Sequence, residues 1–410
     1  MKKSYLFFVP LFALSVCLVS CDYYESPANT DNNSRGTIEL TETEKTIIKS
    51  NREFSFRLFD AVNRIQPGND KFVISPMSAS FAFSMLLNGV VGETLENSMG
   101  EFGLQGIDIE ELNAINRKLI EDMSTLDKKT DIEFANSLWL NEGSKPEVSY
   151  INVIKKYYNG SVQNRQFCNE ETLNAINDWC SNATKGNITK LLKELDPYGR
   201  MLLINTLYFN APWKKNFKSS NTDVFNTVSG ELQQVAYMEC NLLTACYSNG
   251  KSKAVVLPYG NDAFSFSILL PNEGVSLDEC IADLANEDWI SGSEHQKRVD
   301  LNIRMPKFKI EGCYNIVPAL ESTGIKTIFK KDADYSNLFP AEPFFVNKVI
   351  QATTFKVDEK GSEGSATTVF DGDSSVLDEK MEMVVNRPFL FFVKESSTGA
   401  ILFIGKVGKI

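Results

Sequence analysis

The run TETEKTIIKSNREFSFRLFDAVNRI, residues 41–65, sets Ile47, Ile48, Phe54, Phe56, Leu58, Phe59 and Val62 broadly at helical spacing. It predicts a long amphipathic helix. Helical patterns dominate to about residue 195, interrupted by one strand pattern, IEFANSLWL. Strand patterns dominate afterwards: MLLINTLYFN, LQQVAYMEC, KAVVLPY, AFSFSILLP, RVDLNIRMPKFKI, VNKVIQATTFKV, EMVVNRPFLFFVKE and AILFIGKV. Two helical patterns, SLDECIADL and NIVPALESTG, sit among them. The order predicts an α+β chain with antiparallel strands in one domain.

Two stretches leave this pattern. The first is N-terminal. MKK is a short basic region, YLFFVPLFALSVCLVS is apolar, and Cys21 follows. That is the architecture of a secretory signal. The last four residues, Leu18-Val19-Ser20-Cys21, resemble a bacterial lipobox, whose cysteine is acylated. A membrane-spanning helix fits less well, because the apolar run is short and broken by Pro10. We therefore expect a signal peptide over 1–20, a lipidated polar tether over 21–40 and a folded domain over 41–410. Acyl chains on Cys21 would hold the protein at a bilayer, which implies a bacterial cell envelope, at the outer membrane and open to surface exposure.

The second stretch is VDEKGSEGSATTVFDGDSSVLDEK, from Val357 to Lys380. It starts as a strand and turns small, polar and acidic. An unstructured run of this length inside a compact domain is either disordered or functional.

Composition narrows the functional classes. The 410 residues are 43% hydrophobic, enough for a large core, and the formal charge of -11 argues against a nucleic-acid partner. The single histidine, His295, lies in the polar run EDWISGSEHQKR and reads as a solvated loop residue. No G-x-S-x-G, P-loop or G-x-G-x-x-G string occurs. An enzyme is therefore not expected, and neither is a cofactor. Cys17 belongs to the signal. The other six cysteines, Cys168, Cys180, Cys240, Cys246, Cys280 and Cys313, show no CxxC spacing, so no metal site is expected. Cys240 and Cys246 could bridge if they lie on a hairpin. The favoured reading makes all six small buried hydrophobes.

Several strings resemble one family when taken in order. FVISPMSASFAFSMLLNGVVGET, AINDWCSNATKGNITKLL, LLINTLYFNAPWKKNF, LPYGNDAFSFSILLP, MPKFKIEGCYNIVPALESTGI, DADYSNLF, VDEKGSEGSATT and NRPFLFFVKESSTGAILFIGKV together resemble the serpins over residues 41–410. The resemblance implies a single serpin domain. Such a domain has a large, mostly antiparallel central sheet, further sheets, about nine helices and an exposed reactive-centre loop, here about 361–382. It implies inhibition of a serine protease by a suicide route: the loop is cut, an acyl-enzyme forms, and the freed loop inserts as a new strand. The alternative is a serpin-fold protein that only binds or carries.

The resemblance also assigns residues. The hinge is Glu359, Gly361, Ser362, Glu363, Gly364, Ser365, Ala366, Thr367 and Thr368. Gly364 and Ser365 depart from the alanines the family prefers. The sheet-opening residues are Ser75, Ser78, Asn205 and Gln351, the last where the family usually has histidine, together with Trp213, beside Lys214, at the top of the sheet. Strand alternation adds that Ser362, Gly364, Ala366, Thr368 and Phe370 should face inward, since Glu363 and Asp371 on the other set cannot be buried cheaply. The family's spacing from the hinge glycine implies a scissile bond after Ser375, Val376 or Leu377, and the small aliphatic Val376 is favoured. These residues suit an elastase-like protease, or a chymotrypsin- or subtilisin-like one. A monomer is expected.

Overall fold

The computed structural model describes residues 33–65, 70–284, 297–341, 343–362 and 379–410. They form one compact unit. Eight α-helices occur among them: α1 (Glu42–Ile65), α2 (Pro76–Leu87), α3 (Gly92–Phe102), α4 (Ile109–Met123), α5 (Val148–Tyr158), α6 (Glu170–Ala183), α7 (Leu277–Asp283) and α8 (Val317–Ser322). Their starts follow local chemistry. Asp108 caps α4 in a capping box with Glu111, and Asn169 caps α6 through the Glu171 amide. Helix α2 begins at Pro76 behind the cap Ser75 and is buried on every side, as a helix apolar all round must be.

The strands make two sheets. The nine-stranded sheet runs β1 (Lys71–Ile74), β15 (Ile401–Val407), β14 (Phe389–Glu395), β8 (Phe264–Pro271), β7 (Ser252–Pro258), β6 (Leu232–Ser248), β9 (Lys297–Pro306) and β13 (Glu379–Val384), with β5 (Lys218–Asn226) paired to β6. The six-stranded sheet runs β10 (Phe308–Asn315), β11 (Val349–Val357), β4 (Met201–Pro212), β2 (Asp131–Asn141) and β3 (Ser161–Arg165), with the two-residue β12 (Gly361–Ser362) on β4. Pairing here is mixed. β4–β11 and β2–β3 are parallel, while β10–β11, β2–β4 and β12–β4 are antiparallel.

Alternation along β4 sends its side chains into two cores. Leu203, Leu207, Phe209 and Ala211 join the main core, which includes α1, α2 and the strands of the other sheet. Leu202 and Ile204 join a smaller cluster with Ile350 and Ala352 of β11 and with Ile176 and Cys180 of α6. Helix α6 thus covers one face of the six-stranded sheet.

Three expectations change. RVDLNIRMPKFKI is two strands: the chain leaves one sheet at Pro306 and joins the other at Phe308, because proline lacks the amide that would continue a ladder. EMVVNRPFLFFVKE likewise splits into β13 and β14 before Pro388. The cysteines are not uniformly buried, since Cys168 and Cys313 are exposed. Cys240 and Cys246 both lie on β6. Six residues of extended chain separate them by about 20 Å, far beyond disulfide reach.

Eight residues of the expected tether, 33–40, lie against the body. Asn33 donates to Asp127, the Gly36 amide to Leu126 O, and the Ile38 amide to Ser397 Oγ. The Ile38 side chain is buried.

Candidate functional site

The site lies along the seam between β4 and β11. At its lower end the two strands pair in parallel, Val349–Ala352 with Leu203–Thr206. Thr206 Oγ1 also donates to Ala352 O at 2.8 Å. Above Thr206 the described pairing on this side of β4 stops, and resumes only at Ala211 and Pro212, opposite Ser362 and Gly361. Among the described residues none pairs with Leu207–Asn210 on this side, and Asn210 Oδ1 is buried without a hydrogen-bond partner.

A clasp holds the lower end. The cap of α2 faces both strands from below. Gln351 Nε2 donates to Ser75 O at 2.7 Å, and the Ser75 amide donates to Gln351 Oε1 at 3.0 Å, so α2 is joined to β11. Ser78 Oγ donates to Asn205 Oδ1, joining the same helix to β4. Asn205 Nδ2 donates to Asn136 of β2, and Asn136 Nδ2 donates to Tyr158 O at 2.8 Å. Every one of these side chains is buried. Glutamine satisfies both backbone groups of Ser75 through one amide, and it carries no titratable proton.

The upper end is a tight turn. The Asp358 amide donates to Gly361 O at 3.0 Å, and Lys360 N to Asp358 Oδ1 at 2.9 Å. Trp213 fixes this turn from β4: its amide donates to Lys360 O and its Nε1 to Asp358 O at 2.8 Å. The indole stacks on Tyr259, with ring centroids 4.6 Å apart and planes 9° apart. Gly361 has no alternative, because a Cβ there would sit 2.1 Å from Ala211 O. Ser362 is 1% exposed, and its Oγ lies 2.5 Å from the Tyr259 hydroxyl. Burial raises the Tyr259 pKa far above its ordinary value, while the Ser362 bond opposes the rise.

Glu359 closes the turn on its outer side. Lys307 Nζ approaches its carboxylate at 2.9 Å, and Ser219 Oγ donates to it. Burial alone would raise its pKa. The bonds from Ser219 and Lys307 outweigh that and bring it down to about 2.

The sequence-predicted residues thus fall into two groups. Ser75, Ser78, Asn205 and Gln351 meet at the clasp. Trp213, Glu359, Gly361 and Ser362 meet at the turn. Residues Glu363 to Thr368, together with Phe370, Ser375, Val376, Leu377, Cys21 and His295, lie outside the described residues. Sequence reading missed Asn136, Tyr259 and Lys307. An asparagine amid the strand FANSLWL was the one available signal, because asparagine is depleted from strands. No cluster of metal-ligating side chains occurs among the described residues.

A family profile described as "Serpin (serine protease inhibitor)" matches residues 49–410. The chain belongs to the serpin family. Human neuroserpin is 26% identical, over 84% of this chain and 88% of its own length. Serpin B13 of mouse is 28% identical, over 86% of this chain and 97% of its own. The thermophilic serpin tengpin, solved in its native state, superposes with a TM-score of 0.81 at 29% identity, covering 92% of this chain and 97% of tengpin. The serpin fold expected from the sequence is therefore present, with a mixed central sheet and a second large sheet. Serpins are mostly protease inhibitors rather than catalysts, their targets are generally serine proteases, and some do not inhibit.

Proposed function

We propose that this serpin traps serine proteases by insertion of its cleaved loop into the β4–β11 seam. The observation that carries the proposal is the seated hinge: Gly361 and Ser362 already pair with Pro212 and Ala211, beyond the point where the described β4–β11 pairing ends. Continuing that register opposes each loop residue to a β4 residue such that the two numbers sum to 573. Residues 363–366 would then meet Asn210–Leu207, beside which no described strand pairs on that side. From Thr367 onward the loop meets Thr206 and must part β4 from β11, which opens the clasp at Asn205 and Gln351. Insertion is thus gated from Thr367 onward.

The register also sets the faces. Gly364, Ala366, Thr368 and Phe370 would oppose Phe209, Leu207, Asn205 and Leu203, whose side chains point away from α6. Small residues enter under the packed core first, and Phe370 arrives last. Each new backbone hydrogen bond contributes roughly 1 kcal/mol net, and burial of Phe370 about 2 kcal/mol. Gly364 costs about 0.5–1 kcal/mol in strand propensity.

The target is an elastase-like serine protease cutting after Val376. No Lys or Arg lies between Gly361 and Glu379, and Lys380 sits within β13, paired to Asp300 of β9. A trypsin-like enzyme would have to cut inside a strand. Asp371, Asp373 and Asp378 favour a protease with a basic rim. The serpin is anchored in the cell envelope through lipidated Cys21. Incubation with an elastase-like protease should give an SDS-resistant adduct and release a C-terminal fragment beginning at Leu377. A fragment beginning at Met381 with efficient trypsin inhibition would displace the site. Cleavage without any adduct would leave a serpin-fold binding protein.

A further inference from the structure

Among the described residues seven large apolar side chains are exposed. Three of the seven, Val148, Tyr198 and Phe345, stand at one end of the six-stranded sheet. Tyr198 is 91% exposed, on a turn just before β4. Hydrogen bonds brace that turn. The Tyr198 amide donates to Asp196 Oδ1 at 2.9 Å, and Asn141 Nδ2, at the end of β2, donates to Pro197 O at 3.0 Å and to Gly199 O at 2.8 Å. Arg200 ties the same turn to the segment before β11. Its Nη1 donates to Pro343 O at 3.1 Å, and its guanidinium lies 4.6 Å from the centre of the Phe339 ring and 5.7 Å from that of Phe344. Phe345 follows directly in the chain. The Glu147 amide donates to Leu338 O, which brings Val148 to this segment too. An almost fully exposed tyrosine on a braced turn, with an exposed phenylalanine and valine at the same end, is apolar surface held ready for a partner.

The loop register says which partner arrives there. Each loop residue opposes the β4 residue whose number completes 573, so Gly372 would meet Met201, the first residue of β4. Val376 would come level with Pro197, beside Tyr198. Asp373 to Val376 would lie past the end of the strand, a link of four residues that spans at most about 14 Å. A protease acylated by Val376 therefore reaches the Tyr198 end of the sheet on a slack link. We propose that the end bearing Tyr198, Phe345 and Val148 is a landing surface for the acylated protease, and that apolar contact there prolongs the life of the adduct. The proposal rests on the trapping reading above and adds to it a second hold, besides the pull of the inserted strand.

The adduct is lost by hydrolysis. Water adds to the Val376 carbonyl carbon, the bond to the protease serine oxygen breaks, and that oxygen takes up a proton. The step needs the protease site in working order. A protease free to swing on a slack link eases the pull on its own site and recovers its catalytic geometry. Contact with the Tyr198 end removes that freedom. Tyrosine suits the task, because its ring covers a large area with few rotamers to lose.

The test uses the full chain. Adduct is formed with an elastase-like serine protease, freed of excess serpin, and followed by denaturing gels and by the return of protease activity. The double variant Tyr198→Ser, Phe345→Ser should form adduct at the wild-type rate and stoichiometry, since neither residue takes part in insertion. Its adduct should decay at least fivefold faster. Tyr198→Phe keeps the ring and should keep the wild-type lifetime. Leu232→Ser is the control: Leu232 is 68% exposed at the start of β6, in the other sheet, and its loss should leave the lifetime unchanged. Equal lifetimes for wild type and the double variant refute the landing surface and leave trapping intact. Equal acceleration by Leu232→Ser, or a Tyr198→Phe adduct as short-lived as that of the double variant, refutes it as well. A lower yield of adduct in place of faster loss would assign the two residues to insertion and overturn the proposal. If wild type forms no adduct with any serine protease, trapping itself fails and the landing surface falls with it.

Discussion

On the proposed trapping mechanism, replacing Ser362 by arginine should turn this serpin from an inhibitor into a substrate. Ser362 is 1% exposed, its hydroxyl meets that of Tyr259 at 2.5 Å, and Tyr259 is itself fully buried beneath Trp213. Removing the serine leaves the tyrosine hydroxyl without its partner, at about 1–3 kcal/mol. The guanidinium does more harm, since burying an unpaired charge costs several kcal/mol. The turn's carboxylates are already engaged, Glu359 by Lys307 and Ser219, Asp358 by Lys356. A combined penalty near ~4 kcal/mol slows seating of the first inserted residue by about a thousandfold. The acyl-enzyme then hydrolyses before the loop moves. Titration of a fixed amount of protease, resolved on denaturing gels, should show the adduct band replaced by cleaved serpin. The number of serpin molecules consumed per protease should rise at least tenfold. Ser362→Ala serves as the control: it loses only the hydroxyl contact with Tyr259 and should retain adduct. An arginine variant that forms adduct at unchanged stoichiometry would show that Ser362 need not enter the sheet.

The same geometry makes three other perturbations informative. The loop-cleaved protein should melt well above the intact one, because insertion adds a hydrogen-bonded strand between β4 and β11; calorimetric scans that coincide would leave a non-inserting serpin. Glu359 has a folded pKa of about 2 against an ordinary 4.5, so its contribution is full above pH 4.5 and is lost as pH falls toward 2; the melting advantage of wild type over Glu359→Gln should shrink through that window, and a constant difference would deny the Lys307 and Ser219 bonds their role. Cys21→Ala should release the protein from membranes or block its maturation, as fractionation would show, and normal processing with an unchanged membrane fraction would exclude lipidation there.

Periodicity made much of the scaffold legible. Helix α1 spans Glu42–Ile65 where the apolar spacing put it, and β4 and β11 coincide with MLLINTLYFN and VNKVIQATTFKV to within a few residues. What periodicity could not show is where a run of strand residues changes sheets. Both sides of Pro306 read as strand, and only the missing proline amide marks the crossing. Exposure of Cys313 was hidden for a related reason: β10 is the last strand of its sheet, a fact of neighbours rather than of residues. The family resemblance supplied Ser75, Ser78, Asn205 and Gln351, but not Tyr259. A tyrosine followed by Gly-Asn-Asp reads as a turn, and its role emerges only when the Ser362 hydroxyl is placed against it.

The end of the β4–β11 pairing has a bearing on handling and storage. Beyond Thr206 no described strand pairs with β4 on the β11 side until Ala211. Unpaired backbone groups accept any extended segment of suitable side chains, including the loop of a second copy. The occupancy of that stretch by strangers scales with protein concentration, while its occupancy by the molecule's own loop does not. On the proposed trapping mechanism, dilute, cold preparations should keep the insertion-competent form, and concentrated or warmed ones should lose it to self-association, at a rate set by how firmly Gln351 and Asn205 keep the lower seam shut.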